Sequence, residues 1–266
     1  MINQELDTLL KQLRLPTFRD NYIELAERAS RENLSYIEYL LHLARIEAQV
    51  RRYNQITRLT KLSKLPLEKT FENFDFKRLP LGITQQVKVL SQGMFADKRE
   101  NILAFGKPGS GKTHLLCGIC HELTRQGRRV YFSTCDLMVQ QLLRAKQELE
   151  LDKLLKKLSH YDVLMIDDFG YVKQNREEME VLFSLLAYRY ECGSMLITSN
   201  LPFSRWQEVF KDPMTTAAAI DRLVHHSVIL ELNVDSYRAA AAKERKQQNK
   251  SENSGTDTEQ DNRDLQ

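Results

Sequence analysis

A chain of 266 residues, 42% of them apolar, suffices for one α/β domain with a real core plus a smaller module. Lys and Arg (39) outnumber Asp and Glu (36) by only three, so net charge alone says nothing about nucleic acid and the distribution must carry that argument. Four cysteines make no disulfide framework and fit a reducing compartment; no basic start leads into an apolar h-region, and charges interrupt every apolar run well short of a bilayer span. The expectation is a cytoplasmic protein with no membrane partner.

The first seventy residues read as an all-α domain. Leu6, Leu9, Leu10 and Leu13 recur at helical spacing until Pro16. A second helix is predicted over Thr17–Ala29, with Tyr22, Leu25 and Ala26 on one face. A third starts near Ser35, where Ser-x-x-Glu with Glu38 makes a capping box, and its apolar face takes Leu40, Leu41, Leu43, Ala44 and Ala48. The charge then changes sign. Arg45, Arg51, Arg52, Arg58, Lys61, Lys64 and Lys69 face only Glu47 and Glu68, a pattern suited to the phosphates of double-stranded DNA. Residues 71–98 read as a connector into the next domain.

From residue 99 to 238, short apolar strands alternate with helices: Ile102–Gly106, Arg129–Ser133, Val163–Asp167, Met195–Ser199 and Val228–Leu232. That alternation predicts an α/β fold with a parallel five-stranded sheet and helices on both faces. Between the second and third strands, 136–158 is a leucine-rich helical stretch. After Ala239–Ala242 almost nothing apolar remains, and 239–266 reads as a tail that is disordered, above all over 247–266.

The first strand runs into Gly106-Lys107-Pro108-Gly109-Ser110-Gly111-Lys112-Thr113, a complete G-x-x-x-x-G-K-[ST] followed by a helix that opens at His114. Glycines let backbone N–H groups turn inward around phosphates, and a helix N-terminus favours anions. Lys112 is placed to reach the β- and γ-phosphates of ATP, and the Thr113 hydroxyl to ligate Mg2+. The third strand ends in Asp167-Asp168: Asp167 for Mg2+, Asp168 for the attacking water. The fourth strand ends in Asn200, which resembles the sensor residue of AAA+ proteins, a position that implies contact with the γ-phosphate or the water. Asp221-Arg222-Leu223 resembles the segment carrying the arginine finger of initiator-type members, which implies that Arg222 meets transition-state charge in a neighbouring subunit; Arg238 is a candidate for the nucleotide in its own subunit. Cys117 and Cys120 have C-x-x-C spacing, but on the helix after the loop they read as core. Trp206 reads as a core anchor. Lys173, Arg176 and Arg205 are further loop cations with access to DNA.

GKPGSGKTH (106–114), VLMIDDFGY (163–171), LFSLLAYRYE (182–191), ITSNLPFSRW (197–206), DRLVHHS (221–227) and the terminal DSYR, with FENFDF at 71–76, together resemble the IstB helper ATPases of bacterial insertion sequences. The resemblance covers roughly residues 5–238. It implies an AAA+ fold of the initiator type without a full helical lid. It also implies ATP-dependent self-assembly on duplex DNA, a partner transposase, and hydrolysis that resets the complex. Aspartate at 168 departs from the commoner glutamate and is one methylene shorter. DnaC-type helicase loaders share the core and supply the alternative function. A metabolic P-loop kinase is disfavoured by Asn200, the Asp-Arg-Leu segment and the absence of a recognisable acceptor-substrate lid.

Overall fold

The computed structural model describes residues 2–170, 176–190, 192–202, 205–206, 221 and 223–234. The chain divides into two compact units, residues 1–61 and 62–266.

The first unit is helical: α1 (Ile2–Gln12), α2 (Pro16–Glu32) and most of α3 (Tyr36–Ser63). Pro16 does not merely end the first helix. It opens the second, at the position where a missing N–H costs nothing. The capping box forms: Ser35 N and Oγ both donate to Glu38 Oε2 at 2.8 Å, and Glu38 N donates to Ser35 Oγ at 3.3 Å. These bonds hold the Glu38 carboxyl below its ordinary range. The expected apolar faces are only partly buried. Leu10, Tyr22 and Leu43 form the core of the unit, whereas Leu6, Leu9, Leu13, Ala26, Leu40, Leu41, Ala44 and Ala48 are exposed. A unit this small has too little interior to cover apolar stripes on three helices.

A buried carboxylate does what burial alone does not. Glu47 of α3 accepts from Thr17 N at 3.1 Å, in the first turn of α2, and from Arg51 Nε at 2.6 Å. Arg51 also donates to the carbonyl of Arg14. Burial pushes the Glu47 carboxyl up, but the hydrogen bonds from Arg51 and Thr17 outweigh it and the net shift is downward.

The second unit is a five-stranded parallel sheet in the order β2-β3-β4-β1-β5, with β1 Asn101–Gly106, β2 Val130–Thr134, β3 Val163–Phe169, β4 Ser194–Ser199 and β5 Ser227–Leu232. All five expected strands are present within two residues at either end. Helices cover both faces, as buried parallel sheets require. Leu103, Phe105, Leu164, Ile166, Met195 and Ile197 point to one core, shared with α7 (Cys135–Gln147), α8 (Leu151–Ser159), α9 (Arg176–Arg189) and Trp206. Ile102, Ala104, Val163, Met165 and Leu196 point to the other, shared with α4 (Leu81–Leu90), α5 (Met94–Asp97) and α6 (Lys112–Arg125). This strict alternation is the two-residue period of a strand. The leucine-rich stretch at 136–158 is not one helix. It breaks after α7, where exposed Leu149 takes a left-handed φ of 58°, so α8 can turn back and bury Leu155 and Leu158.

No helix of the described residues is long and apolar enough to cross a membrane.

Glu47→Gln is expected to cost the helical unit about 1–3 kcal/mol, since it weakens a charge-assisted bond to a buried amide. Because the folded-state carboxyl lies below its ordinary value near 4.5, its stabilisation is complete above that value and disappears as pH falls through the lower folded value. Amide exchange across α2 measures both effects. Unchanged protection in the variant at neutral pH would remove Glu47 as the cap.

Candidate active site

β1 delivers the chain to Gly106, and α6 begins at Lys112. The intervening turn uses three left-handed glycines: Gly106 (φ 152°), Gly109 (80°) and Gly111 (93°). At Gly106 a Cβ would strike the Leu232 carbonyl and crowd Ser110 Oγ, so only glycine fits. No side chain caps the start of α6, which leaves its first amides for an anion. Ser110 Oγ is buried with no partner among the described residues. An uncapped helix start, a glycine cradle and an orphaned buried hydroxyl together fit a phosphate group.

Lys112 is only 5% exposed. Its Nζ donates to Gly106 O at 2.8 Å, Lys107 O at 2.9 Å and Asn200 Oδ1 at 2.7 Å. Asn200, eighty-eight residues away in sequence, thus meets the loop lysine at the end of β4. The Thr113 hydroxyl donates to Asp167 Oδ1 at 2.8 Å. A hydroxyl beside a carboxylate is a hard oxygen pair of the kind Mg2+ takes, and Thr113 and Asp167 would hold it. Asp167 is 5% exposed and its neighbour Asp168 is exposed. Asp168 sits in a bulge, with φ 57° and a register shift in the β3–β4 ladder between Ile166 and Phe169.

Other expected site residues lie beside the loop, on it, or outside the described residues. The His114 ring nitrogen meets Thr70 O at 2.8 Å, and the ring packs edge-on against Phe74 at 5.2 Å. Phe74 in turn lies against Gly111. The FENFDF segment is therefore packing behind the phosphate loop, a role its composition alone did not disclose. Lys107 and Pro108 are exposed on the loop. Arg222, Arg238, Lys173 and the tail lie outside the described residues.

Cys117 and Cys120 are buried, and both thiols contact Met165 Sδ, at 3.9 and 3.8 Å. Burial pushes the Cys117 thiol up to about 12 and the Cys120 thiol well up. Thiols so desolvated are inert packing. Trp206 is fully buried against Phe169 and Phe105, with its ring N–H donating to Leu201 O at 3.1 Å.

The basic set divides. Arg51 is engaged by Glu47 and Arg14. Lys64 donates to the Tyr131 hydroxyl at 3.1 Å and lies over its ring. Arg51 and Lys64 nevertheless remain exposed, as do Arg45, Arg52, Arg58 and Lys61, and also Arg176 and Arg205. Arg45 and Arg52 stand at i, i+7 on α3 and share a face; Arg58 and Lys61, at i, i+3, share another. Thr198, whose hydroxyl touches both strand-end acids, escaped the sequence reading; only its place between Ile197 and Asn200 marked it.

The sheet and this cleft are those of a P-loop protein of the AAA+ class. The chain belongs to the family described as IstB-like ATP binding protein, whose profile matches residues 8–247. It is 41% identical to an insertion-sequence ATP-binding protein of Sinorhizobium fredii, over 91% of this chain and 81% of that one. It is 38% identical to one of Geobacillus stearothermophilus (85% and 90% covered) and 37% identical to one of Pseudomonas aeruginosa (88% of each). Among solved structures, the DnaC helicase loader shares the fold at TM-score 0.55 and 18% identity, over 63% of this chain and 98% of that one. AMPPCP-bound DnaA from Aquifex aeolicus does so at 0.54 and 20%, over 65% and 52%.

Ser110→Ala is expected to leave the Tm unchanged or to raise it, because a buried hydroxyl without a partner costs about 1–3 kcal/mol, yet to weaken nucleotide binding by up to about tenfold. Gly106→Ala is expected to lower the Tm and abolish nucleotide binding. Thermal melts combined with nucleotide titration check both; a clear drop in the Tm of Ser110→Ala without nucleotide would mean that the hydroxyl already has a partner.

Proposed function

We propose that this protein is an ATP-dependent, DNA-binding regulator of transposition. In this reading it assembles with copies of itself on duplex DNA in the ATP state, selects or remodels a target there, and stimulates a partner transposase in the cytoplasm; hydrolysis resets the assembly. The observation that carries the reading is the convergence of Lys112, Asn200, Thr113 and Asp167 at one cleft in a chain of the insertion-sequence ATP-binding family.

In hydrolysis, a water oxygen bonds to the γ-phosphorus as the bond from that phosphorus to the β–γ bridging oxygen breaks, giving ADP and phosphate. Lys112 compensates phosphate charge and Asn200 orients the water or the γ-phosphate. Asp168 receives the water's proton and passes it to solvent. Thr113 and Asp167 would hold Mg2+, which would supply compensation for phosphate charge. Arg222 supplies a guanidinium to the neighbouring subunit's nucleotide, and Arg238 contacts the nucleotide in cis. Lys112 already holds three protein oxygens, so an arriving phosphate exchanges with them. The loss of the Asn200 contact at that moment frees the end of β4, a physical route by which nucleotide state reaches the assembly.

Arg45, Arg52, Arg58 and Lys61 suit backbone contacts that position DNA without reading its sequence. Removing them together is expected to weaken duplex binding and to flatten its salt dependence by about 0.9 log units per lost phosphate contact. Binding to random duplex is measured with ATP, a non-hydrolysable analogue, ADP or no nucleotide, at two salt concentrations. ATP-driven, salt-sensitive binding that Lys112→Ala abolishes is the expected result. Absence of duplex binding in every nucleotide state would sink the transposition reading and favour a loader acting through protein contacts.

A further inference from the structure

We propose that Thr198 is the positioning residue of the hydrolytic cleft, a single hydroxyl that sets both strand-end acids. The proposal rests on reading the cleft as a site for Mg2+–ATP.

Thr198 is completely buried near the end of β4. Its Oγ1 donates to Asp167 Oδ1 at 2.5 Å and accepts from Asp168 N at 2.9 Å. Asp167 Oδ1 therefore takes two hydroxyl donors, Thr113 from α6 and Thr198 from β4. Both donors meet the same oxygen, one from α6 and one from β4, so Oδ1 is held from two elements. Thr113 is itself the other metal-facing oxygen, so Thr198 is the donor that stands outside the metal-facing pair.

The second contact acts on the backbone. Ile166 pairs with Ile197 and Phe169 with Ser199, so Asp167 and Asp168 together stand opposite the single residue Thr198. A regular strand would send adjacent side chains to opposite faces. The extra residue breaks that alternation and re-aims a side chain, as bulges beside active sites do. Its cost is a left-handed φ at Asp168, whose amide donates to the Thr198 hydroxyl. The residue that orients the buried acid thus also holds the backbone from which the exposed acid projects, and an aspartate with shorter reach depends on that backbone more than a glutamate would.

The contact continues along β4 to Asn200, two residues on, which meets Lys112. Valine and serine separate this role from packing. Thr198→Val keeps the shape and loses the hydroxyl, and Thr198→Ser does the reverse. For Thr198→Val, the KM for ATP is expected to stay within about threefold while kcat falls at least about tenfold, the loss of one charge-assisted hydrogen bond. The Mg2+ concentration at half-maximal binding of a non-hydrolysable analogue is expected to rise by a similar factor, and Thr198→Ser to restore both. If Thr198→Val keeps kcat and the Mg2+ midpoint within twofold, or if serine fails as badly as valine, the proposal is wrong. A wild-type protein that binds Mg2+–ATP without hydrolysing it overturns the hydrolytic reading but not this one, and the Mg2+ midpoint then decides. A readout on the unaltered protein needs no variant to fold: the Asp168 amide, on an exposed residue, must be protected from exchange, and rapid exchange there overturns the hydrogen bond itself.

Discussion

Lys112 Nζ is held by three oxygens, two from its own loop and one from Asn200 at the end of β4. A buried ammonium is tolerated only when its donors are met, and here they are met by a constellation that a phosphate would replace. The loop is therefore already shaped before nucleotide arrives, with its glycines in left-handed conformations and the first turn of α6 uncapped. Preorganisation of this kind keeps the cost of binding low.

The same adjacency of strand ends assembles the second half of the cleft. β4 lies between β1 and β3, so its terminal residues reach the phosphate loop on one side and the acidic pair on the other. Thr198 and Asn200 divide that work, one holding Asp167 and the amide of Asp168, the other Lys112. The two cores on either side of the sheet hold these strand ends in place, and FENFDF backs the loop through Phe74.

The helical unit follows different physics. Its core is small, and a buried carboxylate, Glu47, ties α3 to the start of α2. That tie engages Arg51, a cation that stays exposed while its guanidinium is shared with a buried carboxylate. Charge in a sequence is a sum over side chains; which of them remain available to a phosphate is settled by where the nearest carboxylate and carbonyl lie.

Local chemistry was enough to place the phosphate loop, the five strands, the capping box at Ser35 and the acidic pair. Each depends on residues close in sequence: glycines that permit left-handed turns, apolar runs buried on both faces, a serine three residues before a glutamate. The family resemblance was legible for the same reason, being carried by short contiguous motifs. Burial on the helices was less legible, because the stripe at Leu6, Leu9 and Leu13 has the right period but no partner inside the unit. Strand order was not legible at all. No residue in β4 announces that it will lie between β1 and β3, and without that order neither the Lys112–Asn200 contact nor the double role of Thr198 exists. The bulge at Asp168 and the break at Leu149 also belong to the tertiary structure, since a left-handed residue that is not glycine persists only where surrounding packing and hydrogen bonds outweigh its local cost.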